Sequence, residues 1–115
     1  MSDDCIFCKM ASGAIQPDVV HETDNVLAFR DQNPQAPTHI LIVPRSHIAT
    51  LDDLQAADQD LIGEIVLVAT EVARKEGIAE RGYRLVANCH ADGGQTVFHI
   101  HFHLVGGRSM DWPPG

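Results

Sequence analysis

The chain has 115 residues and no apolar run approaching the ~18 residues that a membrane-spanning helix needs. It also has no block of Lys and Arg. Eight basic residues stand singly or in pairs against sixteen acidic ones, for a formal net charge of −8. That argues against a nucleic-acid surface, which requires clustered cations to displace counterions. A small phosphate ligand remains compatible, because backbone N–H groups and histidines can hold one. The segment "MSDDCIFC" lacks the basic-then-apolar layout of a signal peptide, so a cytoplasmic location is expected. Cysteines number three, Cys5, Cys8 and Cys89, and an odd count in a reducing compartment does not suggest a disulfide framework. Internal repeats, low-complexity segments and long linkers are missing too, and the length fits one domain over residues 1–115.

What is present reads as a mixed fold. "CIFCKMASG" suits a short helix ending near Gly13. "DVVHET" and "NVLAFRD" suit two strands around a turn at Asp24-Asn25. "NPQAPT" is a proline-rich loop, and "HILIVP" is an apolar run stopped by Pro44, as in a buried strand. From Leu54, apolar residues recur at Ala57, Leu61, Ile65, Val68 and Val72, one face of a 3.6-residue period. Asp52 or Asp53 can cap that helix and Gly77 can end it. "YRLVANC" and "VFHIHFHL" complete about five strands and two helices. Strands in runs, not alternating with helices, predict an α+β fold with the long helix on one face of an antiparallel sheet.

The chemistry concentrates in "VFHIHFHLV", where His99, His101 and His103 recur every second residue. On a strand they share one face, while Phe98, Ile100, Phe102 and Leu104 point to the core. A solvated face would more usually carry Lys, Glu or Thr. Alternate residues lie ~6–7 Å apart along a strand, too far for three imidazoles to meet one ion at ~2.0–2.1 Å without strain. A division of labour among the three is expected instead. Cys5 and Cys8 form a C-x-x-C pair that can offer two thiolates to Zn²⁺, with histidines to complete the set. Structural thiols and a redox pair are the alternatives, the latter lacking a thioredoxin-like context. Cys89 reads as a small buried filler. In "ADGGQT", Gly93 and Gly94 make either a simple turn or an anion nest beside the histidines.

"HIHFHLV" matches the His-φ-His-φ-His-φ-φ signature, φ being apolar, of the histidine triad superfamily. Together with "NPQAPTHILIVPRSHI", "GYRLVANCHADGGQTVFHIHFHLVGGR" and "WPPG", it resembles the HINT branch, the histidine triad nucleotide-binding proteins. The resemblance implies an α+β meander of about five antiparallel strands with one long and one short helix, its sheet continued across a homodimer. Residues 106–115 would form a tail reaching the partner. It implies hydrolysis of purine nucleoside phosphoramidates through a nucleotidyl–histidine intermediate, with His101 as nucleophile, His103 on the phosphate and His39 in a relay. Ile6, Phe7, Phe29 and Leu41 would line the base pocket, Asp31 would hold the ribose, and Asn88, Gly94, Gln95 and Thr96 would lie near the phosphate. Trp112 would reach the partner subunit's site. Cys5, Cys8, His47 and His99 would bind a structural zinc, with no cofactor needed for catalysis. Arg30 and Asp111 depart from the family pattern, which often has histidine there. A dinucleoside polyphosphate hydrolase, or a nucleotide-binding interaction module with incidental hydrolysis, is the alternative; the "WPPG" tail counts against the first. A transferase branch carries glutamine where this chain has His103.

Overall fold

A computed structural model describes residues 4–115; Met1 to Asp3, part of the acidic start, lie outside the described residues. The elements follow in the order α1 (Ile6–Ser12), β1 (Val19–Glu22), β2 (Val26–Arg30), β3 (Thr38–Pro44), α2 (Gln59–Lys75), β4 (Tyr83–Ala87) and β5 (Phe102–Gly106). All strand pairings are antiparallel, in the order β1-β2-β3-β5-β4. The fold is therefore the expected α+β sheet with one long and one short helix. A strict meander would place β4 beside β3; here β5 lies between them. That transposition puts the histidine-bearing strand next to the middle strand and leaves β4 at the edge.

The pleat sorts side chains onto two faces. Val26, Ala28, Ile40, Ile42, Phe102 and Leu104 point toward α2, whose Ile65, Val68, Ala69, Val72 and Ala73 complete the larger core. Leu27, Phe29, Leu41 and Val43 point the other way and pack with Cys5, Phe7 and Cys8 at α1. Every residue of β3 is buried because the sheet is covered on both faces at its middle. Among the described residues, no helix is long and apolar enough to cross a membrane.

Two expectations are corrected. The long helix begins at Gln59, not near Leu54. Asp53 accepts from the Thr50 N–H (3.2 Å) and hydroxyl (2.8 Å), and Asp58 accepts from the Gln55 N–H at 2.8 Å. Each carboxylate closes its own 3₁₀ turn, at Leu51–Asp53 and Ala56–Asp58, so the chain turns twice before the helix can propagate. Its C-terminal end is as expected, at Gly77 with φ +76°. The second correction is β5, which starts at Phe102 and not at Val97. Before it, the Ile100 N–H donates to the Ile48 carbonyl at 2.7 Å instead of to a strand. Ile100, Phe102 and Leu104 are buried, but Phe98, expected in the core, is 53% exposed.

Candidate functional site

The departure of residues 97–101 from the ladder separates the histidines. His103 stands on β5 opposite Leu41 of β3 and Val86 of β4. His99 and His101 sit in the bent approach, both buried. His99 turns toward α1 and the loop after β3. Its Nδ1 lies 3.3 Å from Cys5 Sγ, 3.6 Å from Cys8 Sγ and 3.2 Å from His47 Nδ1, and Cys8 Sγ lies 3.3 Å from His47 Nδ1. A tetrahedron with Zn–S of ~2.3 Å and Zn–N of ~2.0–2.1 Å has edges of roughly 3.3–3.8 Å. The four separations observed lie within about 0.3 Å of those edges. The four donors thus have the chemistry and spacing of a Cys₂His₂ metal site, all within 4.8 Å of one another.

The far nitrogen of His99 fixes its tautomer. Nε2 lies 2.8 Å from the Pro44 carbonyl, and a carbonyl only accepts, so Nε2 carries the proton and Nδ1 turns its lone pair to the thiols. Burial pushes the His99 imidazole below its ordinary value, opposed by the Pro44 hydrogen bond and helped by His47 and His101. A neutral ring suits a metal ligand.

The same accounting runs through the other histidines. His101 Nδ1 lies 2.8 Å from the His99 carbonyl, so Nδ1 donates and Nε2 keeps a lone pair. His39 Nδ1 accepts from the Gln35 N–H at 2.9 Å, which leaves the proton of the neutral ring on Nε2. That N–H faces His103 Nδ1 at 2.9 Å, with Asp31 Oδ2 farther away at 3.4 Å. His103 then accepts at Nδ1 and presents Nε2–H. Burial holds the His103 imidazole down at about 4, reinforced by His101 and His39 and opposed by Asp31. The rings of His101 and His103 lie 5.1 Å apart, centre to centre. A lone pair on one and an N–H on the other therefore stand side by side, which is the equipment for attack on phosphorus and for holding its oxygens.

The "ADGGQT" loop, between β4 and the histidines, is built around Gln95. Its buried side chain accepts from the His90 N–H (2.9 Å) and donates to the Ala49 (2.8 Å) and Val97 (3.1 Å) carbonyls. Gly94 takes φ +82°, and a Cβ on Gly93 would meet the Cys89 carbonyl oxygen at 2.5 Å. Gly-Gly is thus required by the turn itself. The Gln95 N–H is engaged within the loop by the His90 carbonyl at 3.1 Å. Cys89, expected as a small buried filler, is only half-buried, and its backbone lies where a Cβ on Gly93 would fall.

Of the residues expected in the base pocket, Phe7, Phe29 and Leu41 are buried together in the smaller core, and Ile6 is 42% exposed at its margin. Asp31 accepts from the Asn33 N–H at 2.8 Å while facing His39. A cleft of about 640 Å³ opens beside His39, His103 and Asn88 and continues under the tail. It does not reach His101. Ile6 and Thr96 instead border a separate cleft of about 470 Å³ next to His47 and Phe98. Trp112 is 81% exposed, with the Arg84 guanidinium 5.8 Å above its ring. Arg84 also donates to the Asp111 carbonyl, and Arg108 donates to the Gln35 carbonyl at 3.0 Å. Arg30 turns away from Asp31 and pairs in bidentate fashion with Glu76 at 2.9 Å. The Gln95 side chain, the Gln35 N–H, the Pro44 carbonyl and the tail-binding arginines were not foreseen. Only the charges of Arg84 and Arg108 could have drawn attention in the sequence; backbone groups carry no residue signature.

A HIT domain family model matches residues 12–110. The purine nucleoside phosphoramidase of Escherichia coli is 48% identical over 110 residues, covering 96% of this chain and 92% of its own. An uncharacterized HIT-like protein of Synechococcus elongatus is 50% identical over the full length of both chains. Among solved structures, the HIT family hydrolase from Legionella pneumophila superposes with a TM-score of 0.95 at 54% identity, covering 97% of this chain and all of that one. A histidine triad protein from Clostridium difficile gives 0.93 at 42% identity, with 96% of each chain covered. On the family match and these full-length likenesses, the chain belongs to the HIT domain family.

Proposed function

We propose that this protein hydrolyses purine nucleoside phosphoramidates, releasing an amine and a nucleoside monophosphate. The observation that carries the proposal is the His101 ring. With Nδ1–H given to the His99 carbonyl, the lone pair of the neutral ring lies at Nε2, which serves as the nucleophile without a separate base. It attacks phosphorus as the P–N bond breaks, and the nitrogen takes a proton from solvent as it leaves as the amine. Water then cleaves the nucleotidyl–His101 bond. His103, neutral because its buried ring resists protonation, donates Nε2–H to phosphate oxygens as charge builds on them. His39 holds His103 in that tautomer through the 2.9 Å contact. The 48% identical E. coli relative, named a purine nucleoside phosphoramidase, supports the choice of substrate.

The remaining assignments belong to the same proposal. Ile6, Phe7, Phe29 and Leu41 border the purine, Asp31 takes the ribose hydroxyls, and Asn88 with the Gly94–Gln95–Thr96 loop lies along the phosphate. The enzyme is a cytoplasmic homodimer of one domain per chain, whose exposed Trp112 reaches the partner's site. Cys5, Cys8, His47 and His99 hold zinc, which would supply a crosslink between α1, the loop after β3 and the histidine segment.

Trapping the intermediate tests the proposal. Protein quenched with acid-avoiding denaturant during turnover of an adenosine phosphoramidate should carry one nucleotidyl group, mapped to His101 by peptide mass spectrometry. Turnover with no adduct on any histidine would refute the covalent route.

A further inference from the structure

Three of the eight basic residues gather where β4 begins and β5 ends: Arg81 precedes β4, Arg84 lies on it, and Arg108 follows β5. Arg30 and Arg45 pair with Asp18, Glu76 and Glu22. None of Arg81, Arg84 and Arg108 has a carboxylate within ion-pair distance among the described residues. Arg84 donates to the Asp111 carbonyl and lies over Trp112, and Arg108 donates to the Gln35 and Ser109 carbonyls. Those partners are neutral. In a chain of net charge −8, they leave a locally positive spot open to an anion.

The strand register sets this spot beside the phosphate end of the site. Val86 stands opposite His103, and Arg84 stands opposite Val105. Directly opposed residues of an antiparallel pair share a face, so Arg84 lies one step of alternate residues, ~6–7 Å, along the sheet from His103. The cleft of about 640 Å³ covers that step, bordered by His103 and Asn88 as well as by Arg84 and Arg108. Asp111 is the one side-chain carboxylate in its lining. A smaller cleft of about 310 Å³ shares Arg84 and Arg108, adds Arg81 and has no carboxylate side chain. The larger cleft does not touch His101. In a displacement at phosphorus the leaving group departs in line, on the side away from the attacking atom. A cleft that meets His103 and Asn88 but not the nucleophile has the position a leaving group needs.

We propose that this cleft receives the departing amine, and that Arg84 and Arg108 select short amines that carry a carboxylate or phosphate of their own. The inference rests on the phosphoramidase reading and narrows its substrates. One extended residue spans ~3.3–3.6 Å, and an arginine side chain covers the rest of the step. The guanidinium fork matches the oxygens of either anion. The anionic group takes no part in the bond changes; it is only held.

The adenosine phosphoramidates of β-alanine, of 2-aminoethyl phosphate and of β-alanine amide test this. The three amines are similar in size, and the last is neutral. Amine release, corrected for release without enzyme, is measured for wild type, Arg84→Gln, Arg108→Gln, the double variant and Arg84→Lys. For each protein, kcat/KM on an anionic substrate is divided by that on the amide, so a general loss of activity cancels. Wild type should favour at least one anionic substrate by about tenfold or more, the scale of a charge-assisted hydrogen bond. The two anionic compounds distinguish carboxylate from phosphate. Each glutamine variant should bring the ratio toward one, and Arg84→Lys should keep most of it. Added salt should lower the wild-type ratio.

A wild-type ratio near one or below for both anionic substrates would overturn the proposal. So would a ratio that survives in the double variant, because the arginines would then only hold the tail and the loop at Gln35. If the Arg84 variants do not fold, Arg108→Gln and the salt series decide, and a ratio unmoved by both overturns it. If wild type releases amine from none of the three compounds, the phosphoramidase reading fails. Their dissociation constants then test the arginine cleft by itself, and equal affinities would overturn it.

Discussion

His99, His101 and His103 share one side chain, and their far nitrogens separate them. Pro44 O, His99 O and His39 Nε2 are the three partners, and in the neutral rings they leave a lone pair facing the thiols, a lone pair at His101 Nε2 and an N–H at His103 Nε2 respectively. The sequence spacing showed that the three share a role-bearing segment. It did not show these partners, because two of them are backbone carbonyls, one at the end of β3 and one in the bend before β5. The burial of His103 also has a consequence for stability. Its folded value is about 4 against an ordinary 6.5, so between those limits the unfolded chain takes up a proton that the fold refuses. Stability contributed by the neutral ring is full above pH 6.5 and declines as pH falls toward 4. The loss is on the order of 2 kcal/mol for a ring that is only partly buried. Denaturant unfolding at a series of pH values should show this slope, and His103→Gln should flatten it.

Elements were legible where the periodicity was carried by packing. β2, β3, β4 and the body of α2 lie where alternation and 3.6-residue spacing put them, because Ile65, Val68 and Val72 face a continuous apolar sheet. Boundaries set by polar side chains were not legible. Asp53 looks like a cap for the long helix, but it closes a 3₁₀ turn of its own, and Asp58 closes a second one. The start of β5 was hidden too, since Val97–His101 alternates like a strand yet finds its hydrogen bond at Ile48. The loop before it can be probed by comparing two glycines. Gly93→Ala would place a methyl 2.5 Å from the Cys89 carbonyl oxygen, and we expect a loss of about 1–3 kcal/mol with weakened nucleotide binding. Gly63→Ala, on α2 with nothing within 4 Å, should gain up to about 1 kcal/mol and leave binding intact. Equal effects of the two in denaturant unfolding and nucleotide titration would contradict the packing described for the loop.

For the whole molecule, the decisive arrangement is a sheet covered on both faces with different materials. One face carries α2 and the larger apolar core. The other carries α1, the cluster of Cys5, Cys8, His47 and His99, the paired His39 and His103, and the loop around Gln95, so that one strand approach borders both histidine groups. Residues far apart in the chain, such as Cys8 with His47 (39 positions) or His39 with His103 (64 positions), meet only after the sheet forms. The motif grammar of "CIFC", "PRSH" and "HIHFH" nevertheless identified them, through a family resemblance and not through geometry that a linear chain can display. The arginines that hold the tail, Arg84 and Arg108, had no such grammar. The most direct test of the account compares amine release from an adenosine phosphoramidate by wild type and by His101→Ala, both shown to be folded. The account predicts turnover by wild type and a loss of about 10³-fold or more in the variant, the scale for removing a nucleophile, with adenosine monophosphate still bound. A wild type that releases no amine, or a variant that matches it, would contradict the account.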